Sequence, residues 1–252
     1  MTQPNELKIH IYADGADIKS IQEMAEKPFI NGFTTNPTLM RKAGITDYKA
    51  FAMEALKVVG DRSISFEVFA DDEATMEAQA MEIASWGKNV CVKIPVTNTK
   101  GESCAPLIKR LSAKGVALNV TAIFTAAQID EVVEALSPDT TAIISVFAGR
   151  IADAGVDPMP IMKYAVEESK HLPKADVLWA SPREVFNVIQ ADECGCGIIT
   201  ATPDILKKIS SFGKDLTQFS LETVQMFYDD ATASGFTIKT TQPTKKEELH
   251  AA

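Results

Sequence analysis

The sequence predicts an α/β chain: a single (β/α)8 barrel followed by one additional C-terminal helix. Three observations carry that expectation. Short apolar runs alternate strictly with amphipathic stretches, which calls for a parallel sheet covered by helices. The alternation repeats eight times between about residues 8 and 212, near the low end for a closed eight-fold barrel. No glycine-rich dinucleotide fingerprint follows the first run, which weakens the case for an open doubly wound sheet.

The elements follow in order. Met1 to Leu7 is a polar lead-in without a signal-peptide core. Lys8 to Ala13 is the first strand, with Ile9 and Ile11 on one face, and it stops at Asp14-Gly15-Ala16. Asp17 caps a helix in which Ile18, Ile21 and Ala25 recur, and Pro28 ends it. Ile30 to Thr35 is the second strand, stopped at Asn36-Pro37 because proline removes a ladder donor. Thr46-Asp47 starts a helix through Phe51, Leu56 and Val59 to Gly60. Ser63 to Phe69 is the third strand and Glu73 to Trp86 its helix. Val90 to Val96 is the fourth, with Cys104 to Lys114 behind it, closed by Gly115. Ala117 to Thr121 is the fifth, with Ala126 to Leu136. Thr140 to Phe147 is the sixth, followed by a Gly149-Arg150 loop and a helix from about Pro158 to Leu172. Asp176 to Ala180 is the seventh, and Ser181-Pro182 is expected to open a helix as cap and first-turn proline. Gly197 to Thr200 is the eighth, with Thr202-Pro203 opening its helix in the same way. Leu216 to Ser234, with Phe219, Val224, Phe227 and Tyr228, is surplus to the repeats and is expected to pack on the barrel or on a neighbouring subunit. The polar tail, residues 239 to 252, is expected to fray.

Composition narrows the function. A net charge of −9 leaves no basic surplus for nucleic-acid phosphates, although a small anionic substrate needs only local positive charge. No apolar run approaches the roughly 20 residues that span a bilayer, so no membrane partner is expected. Cys91, Cys104, Cys194 and Cys196 lack redox or zinc spacing, and His10, His171 and His250 lack metal-ligand spacing, so no metal site is expected. A reduced, cytoplasmic compartment is the default.

Lys93 stands out inside Val90-Cys91-Val92-Lys93-Ile94. Strand alternation puts Cys91 and Lys93 on the face opposite Val90, Val92 and Ile94. An amine held out of water keeps some of its neutral form, which a Schiff-base nucleophile requires. The plain alternative is an edge-strand lysine reaching solvent. The strand ends weigh against that alternative. In barrel enzymes the active site lies at the carboxyl ends of the strands. There the chain carries Asp14, Thr35 and Asn36, Glu67, Lys93, Asn119 and Thr121, Ser145 with Arg150 beyond it, and Ser181 with Arg183. Singly, Asp14 reads equally as a turn cap, Asn36 as a turn residue and the arginines as surface charges. Apolar core filling would not gather all of them at one mouth.

Five segments resemble transaldolase signatures, in order along the chain. They are Gly32-Phe33-Thr34-Thr35-Asn36-Pro37-Thr38-Leu39, Val92-Lys93-Ile94-Pro95, Asn119-Val120-Thr121-Ala122-Ile123-Phe124, Ser145-Val146-Phe147-Ala148-Gly149-Arg150, and Ala180-Ser181-Pro182-Arg183. The resemblance spans about Ile9 to Phe236, and the compact length is similar to that of the small group that includes the fructose-6-phosphate aldolases.

It implies that Lys93 attacks the C2 carbonyl of a ketose phosphate. It further implies that Asp14 is the acid/base for the C4 hydroxyl and that Glu67 and Thr121 hold a catalytic water. Asn36, Asn119 and Ser145 would orient the sugar, with Thr35 and Phe147 in the same substrate-binding motifs. Arg150, Ser181 and Arg183 match the phosphate site. No cofactor is implied, because the iminium is itself the electron sink. The group's small members form rings, which implies a homo-oligomer, a pentamer or decamer. Two segments depart from the pattern, Ser145-Val146-Phe147 where Ser-Pro-Phe is common and Asp14-Gly15-Ala16; both keep the functional side chain. The aldolases usually carry glutamine where this chain has Glu67, so glutamate favours transfer over release. A catalytically silent sugar-phosphate or partner-binding barrel would need none of Asp14, Glu67 and Lys93 together.

Overall fold

The computed structural model describes residues 6–239, which fall into two compact units meeting in sequence at Ser210 and Ser211. The polar lead-in before residue 6 and the tail after residue 239 lie outside the described residues.

The first unit is a closed barrel of eight parallel strands in sequence order, with β8 pairing β1. The strands are β1 (His10–Asp14), β2 (Ile30–Thr34), β3 (Ser63–Glu67), β4 (Val90–Pro95), β5 (Leu118–Ile123), β6 (Ala142–Val146), β7 (Ala175–Trp179) and β8 (Ile198–Ala201). The outer helices are α1 (Ile18–Ala25), α2 (Pro37–Lys42), α3 (Tyr48–Val59), α4 (Glu73–Ala84), α5 (Ala105–Ala113), α6 (Ala126–Ala135), α7 (Ala148–Asp153), α8 (Met159–Glu168), α9 (Asn187–Glu193) and α10 (Pro203–Leu206).

Caps start the helices where the sequence places them. Asp17, Asp47 and Asp72 accept from the backbone N–H three residues on, and Thr125 with Gln128 forms a capping box. Alternation along each strand sorts the two faces. Ile64, Phe66, Val92, Ile94, Leu118, Val120, Ile144 and Val146 are fully buried beneath the helices, each such side chain contributing roughly 1.5–3 kcal/mol. The opposite parity fills the barrel interior with Tyr12, Cys91, Ile143, Leu178, Ala180 and Ile198.

Three expectations need correction. The strand stop at Asn36-Pro37 is also a helix start: Asn36 Oδ1 accepts from Leu39 N–H, Pro37 takes the first turn, and α2 follows. The Gly149-Arg150 segment is helical rather than a loop, because Arg150 and Ile151 both donate to the Phe147 carbonyl; a glycine inside a short turn hides that signal. Ser181-Pro182 opens no helix. Ser181 sits at φ +60, and α9 begins only at Asn187, whose Oδ1 accepts from the N–H groups of Arg183 and Glu184.

The second unit holds α11 (Leu216–Ala233), capped by Asp215 onto Gln218 N–H. Lys214 pairs with Glu222 and lies over the Phe219 ring, 4.6 Å from its centroid. Leu216, Val224, Phe227 and Tyr228 on this helix are exposed. No helix among the described residues is long and apolar enough to cross a membrane.

Candidate active site

The carboxyl ends of the strands enclose a cavity of about 460 Å³. Every expected site residue lines it except Thr35 and Arg183. Parallel register explains much of the convergence. Glu67 stands beside Lys93, and Lys93 beside Asn119, so three successive strands turn these side chains to the same inner face.

Lys93 is 7% exposed. Its Nζ donates to the Thr35 carbonyl at 3.2 Å and lies 3.5 Å from Glu67 Oε2. A buried ammonium without such partners would be costly. Burial pushes the Glu67 carboxyl above its ordinary 4.5; Lys93 pulls it back down and Asp14 adds to the rise. Asp14 is raised above 3.8 for the same first reason, opposed by Lys93 and by two hydrogen bonds. Those bonds come from Thr34 Oγ1 at 2.8 Å and Asn36 Nδ2 at 3.2 Å. Thr34 spends its proton on Asp14, so its 2.6 Å contact with Thr200 Oγ1 has Thr200 as donor.

Deeper along β3, β5 and β6 runs a buried polar chain. Ser145 Oγ donates to Asn119 Oδ1 at 2.6 Å, and Asn119 Nδ2 donates to Ser65 Oγ at 3.0 Å. Thr121 Oγ1 is buried without a protein partner and lines the cavity. The residue after it, Ala122, sits at φ +61 where the β5–β6 register shifts. Ala122 and Ser181, the non-glycine residues at positive φ among those described, both line the cavity. Such backbones cost about 1–3 kcal/mol each and concentrate at functional sites.

At the rim, the Arg150 guanidinium lies 5.4 Å from the centroid of the Phe147 ring, and Phe124 packs on that ring at 5.7 Å. Arg183 goes elsewhere: it pairs with Asp153 and reaches the Gly149 carbonyl at 3.4 Å. Thr35 is fully buried, its hydroxyl on the Ser65 carbonyl, and it faces the site through its own carbonyl. Sequence reasoning missed Thr34, Ser65 and Thr200. Thr200 lies near the carboxyl end of β8 and is legible by its position; Ser65 lies one inward-facing position before Glu67 on the same strand. Among the described residues no cluster of His, Cys, Asp and Glu could hold a metal ion.

A buried amine flanked by two carboxylates of raised pKa, with a cation at the rim, suits carbonyl chemistry on an anionic substrate. Residues 11–249 match the family described as Transaldolase/Fructose-6-phosphate aldolase. A "Probable transaldolase" of Dehalococcoides mccartyi is 36% identical over 202 residues, 80% of this chain and 90% of that protein. A "Probable transaldolase" of Nitrosopumilus maritimus is 30% identical over 232 residues, 91% of this chain and 99% of that protein. The tryptophan synthase alpha subunit of Campylobacter jejuni, at 14% identity and a TM-score of 0.53 over 84% of this chain and 92% of its own, shares the barrel fold. The chain belongs to the transaldolase/fructose-6-phosphate aldolase family.

Proposed function

We propose that this chain moves a dihydroxyacetone unit from a ketose phosphate to an aldose phosphate through a Schiff base on Lys93. Sedoheptulose 7-phosphate or fructose 6-phosphate would be the donor, and glyceraldehyde 3-phosphate or erythrose 4-phosphate the acceptor, as in the pentose phosphate route of the cytoplasm. The observation that carries this reading is Lys93 Nζ, buried at the barrel mouth 3.5 Å from Glu67 and within the field of Asp14.

In this reading the amine adds to C2 and the carbinolamine loses water to give an iminium. Glu67, with the unpartnered Thr121 hydroxyl beside the cavity, handles that water. Asp14 takes the C4 hydroxyl proton, the C3–C4 bond breaks, and its electron pair moves into the iminium to leave an enamine. The acceptor aldehyde then reacts in reverse. Asn36, Asn119 and Ser145 orient the sugar; Phe147 forms a wall. Arg150 and Ser181 take the phosphate, with Arg183 joining only by leaving Asp153. Glutamate at position 67 favours transfer over release.

Borohydride reduction with fructose 6-phosphate should add a three-carbon unit at Lys93, and Lys93→Ala or Lys93→Arg should abolish it. An adduct elsewhere, or none, refutes the Schiff base. Steady release of dihydroxyacetone without erythrose 4-phosphate would identify an aldolase instead. The exposed apolar residues of α11 support a homo-oligomer, with the pentamer or decamer being what the family resemblance implies, and a monomeric mass by light scattering would count against it.

A further inference from the structure

The β2–β3 ladder breaks off where the site begins. Its last rung runs from Thr35 N–H to the Ser65 carbonyl at 3.2 Å. Continued parallel register would send Glu67 N–H to the Thr35 carbonyl, and the N–H of residue 37 to the Glu67 carbonyl. Residue 37 is proline and has no N–H. The Thr35 carbonyl instead accepts from Lys93 Nζ at 3.2 Å.

The N–H and C=O of one strand residue point to the same side, so a single hydroxyl can serve both. Tyr48 supplies it. Its oxygen accepts from Glu67 N–H at 2.8 Å and donates to the Glu67 carbonyl at 3.0 Å. Tyr48 opens α3 directly after the Asp47 cap. Its ring is wedged among Phe69, Trp86 and Phe66, with centroids at 4.6, 5.4 and 6.1 Å. An aromatic cluster outside the barrel therefore sets where the hydroxyl stands.

We propose that Tyr48 is a positioning residue for the reaction: its hydroxyl replaces the missing β2 rungs, holds Glu67 at the end of its strand, and leaves the Thr35 carbonyl to the Lys93 amine. This rests on the reading of Lys93 and Glu67 given above. Tyr48→Phe keeps the ring packing and removes only the hydroxyl. If the ring alone matters, the variant is neutral.

The test is a double-mutant cycle of Tyr48→Phe and Glu67→Gln in the full-length chain. Its readouts are kcat and KM for transfer, the rate of borohydride-trapped adduct formation, and amide hydrogen exchange across residues 63–69. Tyr48→Phe should lower kcat and the trapping rate about tenfold, with KM for fructose 6-phosphate nearly unchanged. It should also speed exchange at the Glu67 amide. In the Glu67→Gln background the same substitution should change trapping by less than about twofold, because both act through one group. Wild-type rates in Tyr48→Phe, or an equal tenfold loss in both backgrounds, would overturn the role of Tyr48. A wild-type chain that forms no Lys93 adduct would overturn the Schiff-base reading and this one with it; an adduct in wild type with no effect of Tyr48→Phe overturns this one alone.

Discussion

Gly149→Ala is the sharpest stability test of the site's construction. Gly149 lies in the first turn of α7, where helix propensity alone favours alanine by about 1 kcal/mol. The structure reverses that sign. A Cβ on Gly149 would meet the Ser181 carbonyl oxygen at 1.5 Å and its carbon at 2.6 Å, whereas real Cβ atoms essentially never come within 3.0 Å of such neighbours. Ser181 would have to retreat by about the 1.5 Å difference, and the obstacle is backbone, already held at φ +60. Overpacking against a part that cannot rotate away costs roughly 3 kcal/mol, the upper end of the usual range. For a domain of this size that lowers Tm by about 6–12 °C. Gly15→Ala is the control, because nothing lies within 4 Å of its added Cβ. Thermal unfolding of the two variants decides. Equal Tm values would refute the claim that the α7 turn and the Ser181 segment are packed backbone to backbone.

Two further outcomes follow from the site. Arg150→Ala should raise KM for phosphorylated substrates by at least about tenfold, since a charge-assisted contact is worth roughly 1.5–3 kcal/mol. Arg183→Ala should do less and leave Tm nearly unchanged, because its exposed pair with Asp153 contributes about 0–1 kcal/mol. Steady-state kinetics with phosphorylated and unphosphorylated donors separates the two, and an equal effect would show that Arg183 swings into the cavity. Asp14 titrates above its ordinary 3.8 because burial outweighs Lys93. A raised carboxyl pKa contributes stability that is full below the unfolded value and is lost as pH rises through the folded one. Asp14→Asn should therefore lose activity yet unfold at higher temperature than wild type at neutral pH, with the difference closing at acidic pH. The wild-type activity should fall on acidification at a pH above the ordinary aspartate range. A stability difference that grows on acidification would contradict the sign.

Period and punctuation were enough to read the barrel. Alternating apolar runs of strand length and capped helical stretches recur eight times, and the sheet closes where β8 pairs with β1. The inner set of site candidates was equally legible in its placement, because strand parity and a position at a carboxyl end send Glu67, Lys93, Asn119 and Thr121 into one mouth whatever the loops do. The loops themselves were not. Asn36-Pro37 and Ser181-Pro182 carry nearly the same local signal, yet only the first starts a helix. Ser181, left-handed at φ +60, packs its carbonyl against Gly149, a residue far away in sequence. Arg183 and Thr35 belong to the right motifs but point elsewhere, one captured by Asp153 and the other facing the amine through its backbone. Tyr48 had no mark in the chain at all. Its part depends on a proline that empties one rung and on a ring cluster that brings a hydroxyl to fill it. Local periodicity is a property of neighbours in sequence, and the sequence alone carries it. A hydrogen bond between groups distant along the chain is decided only when the packed barrel leaves one group without a partner and sets another beside it.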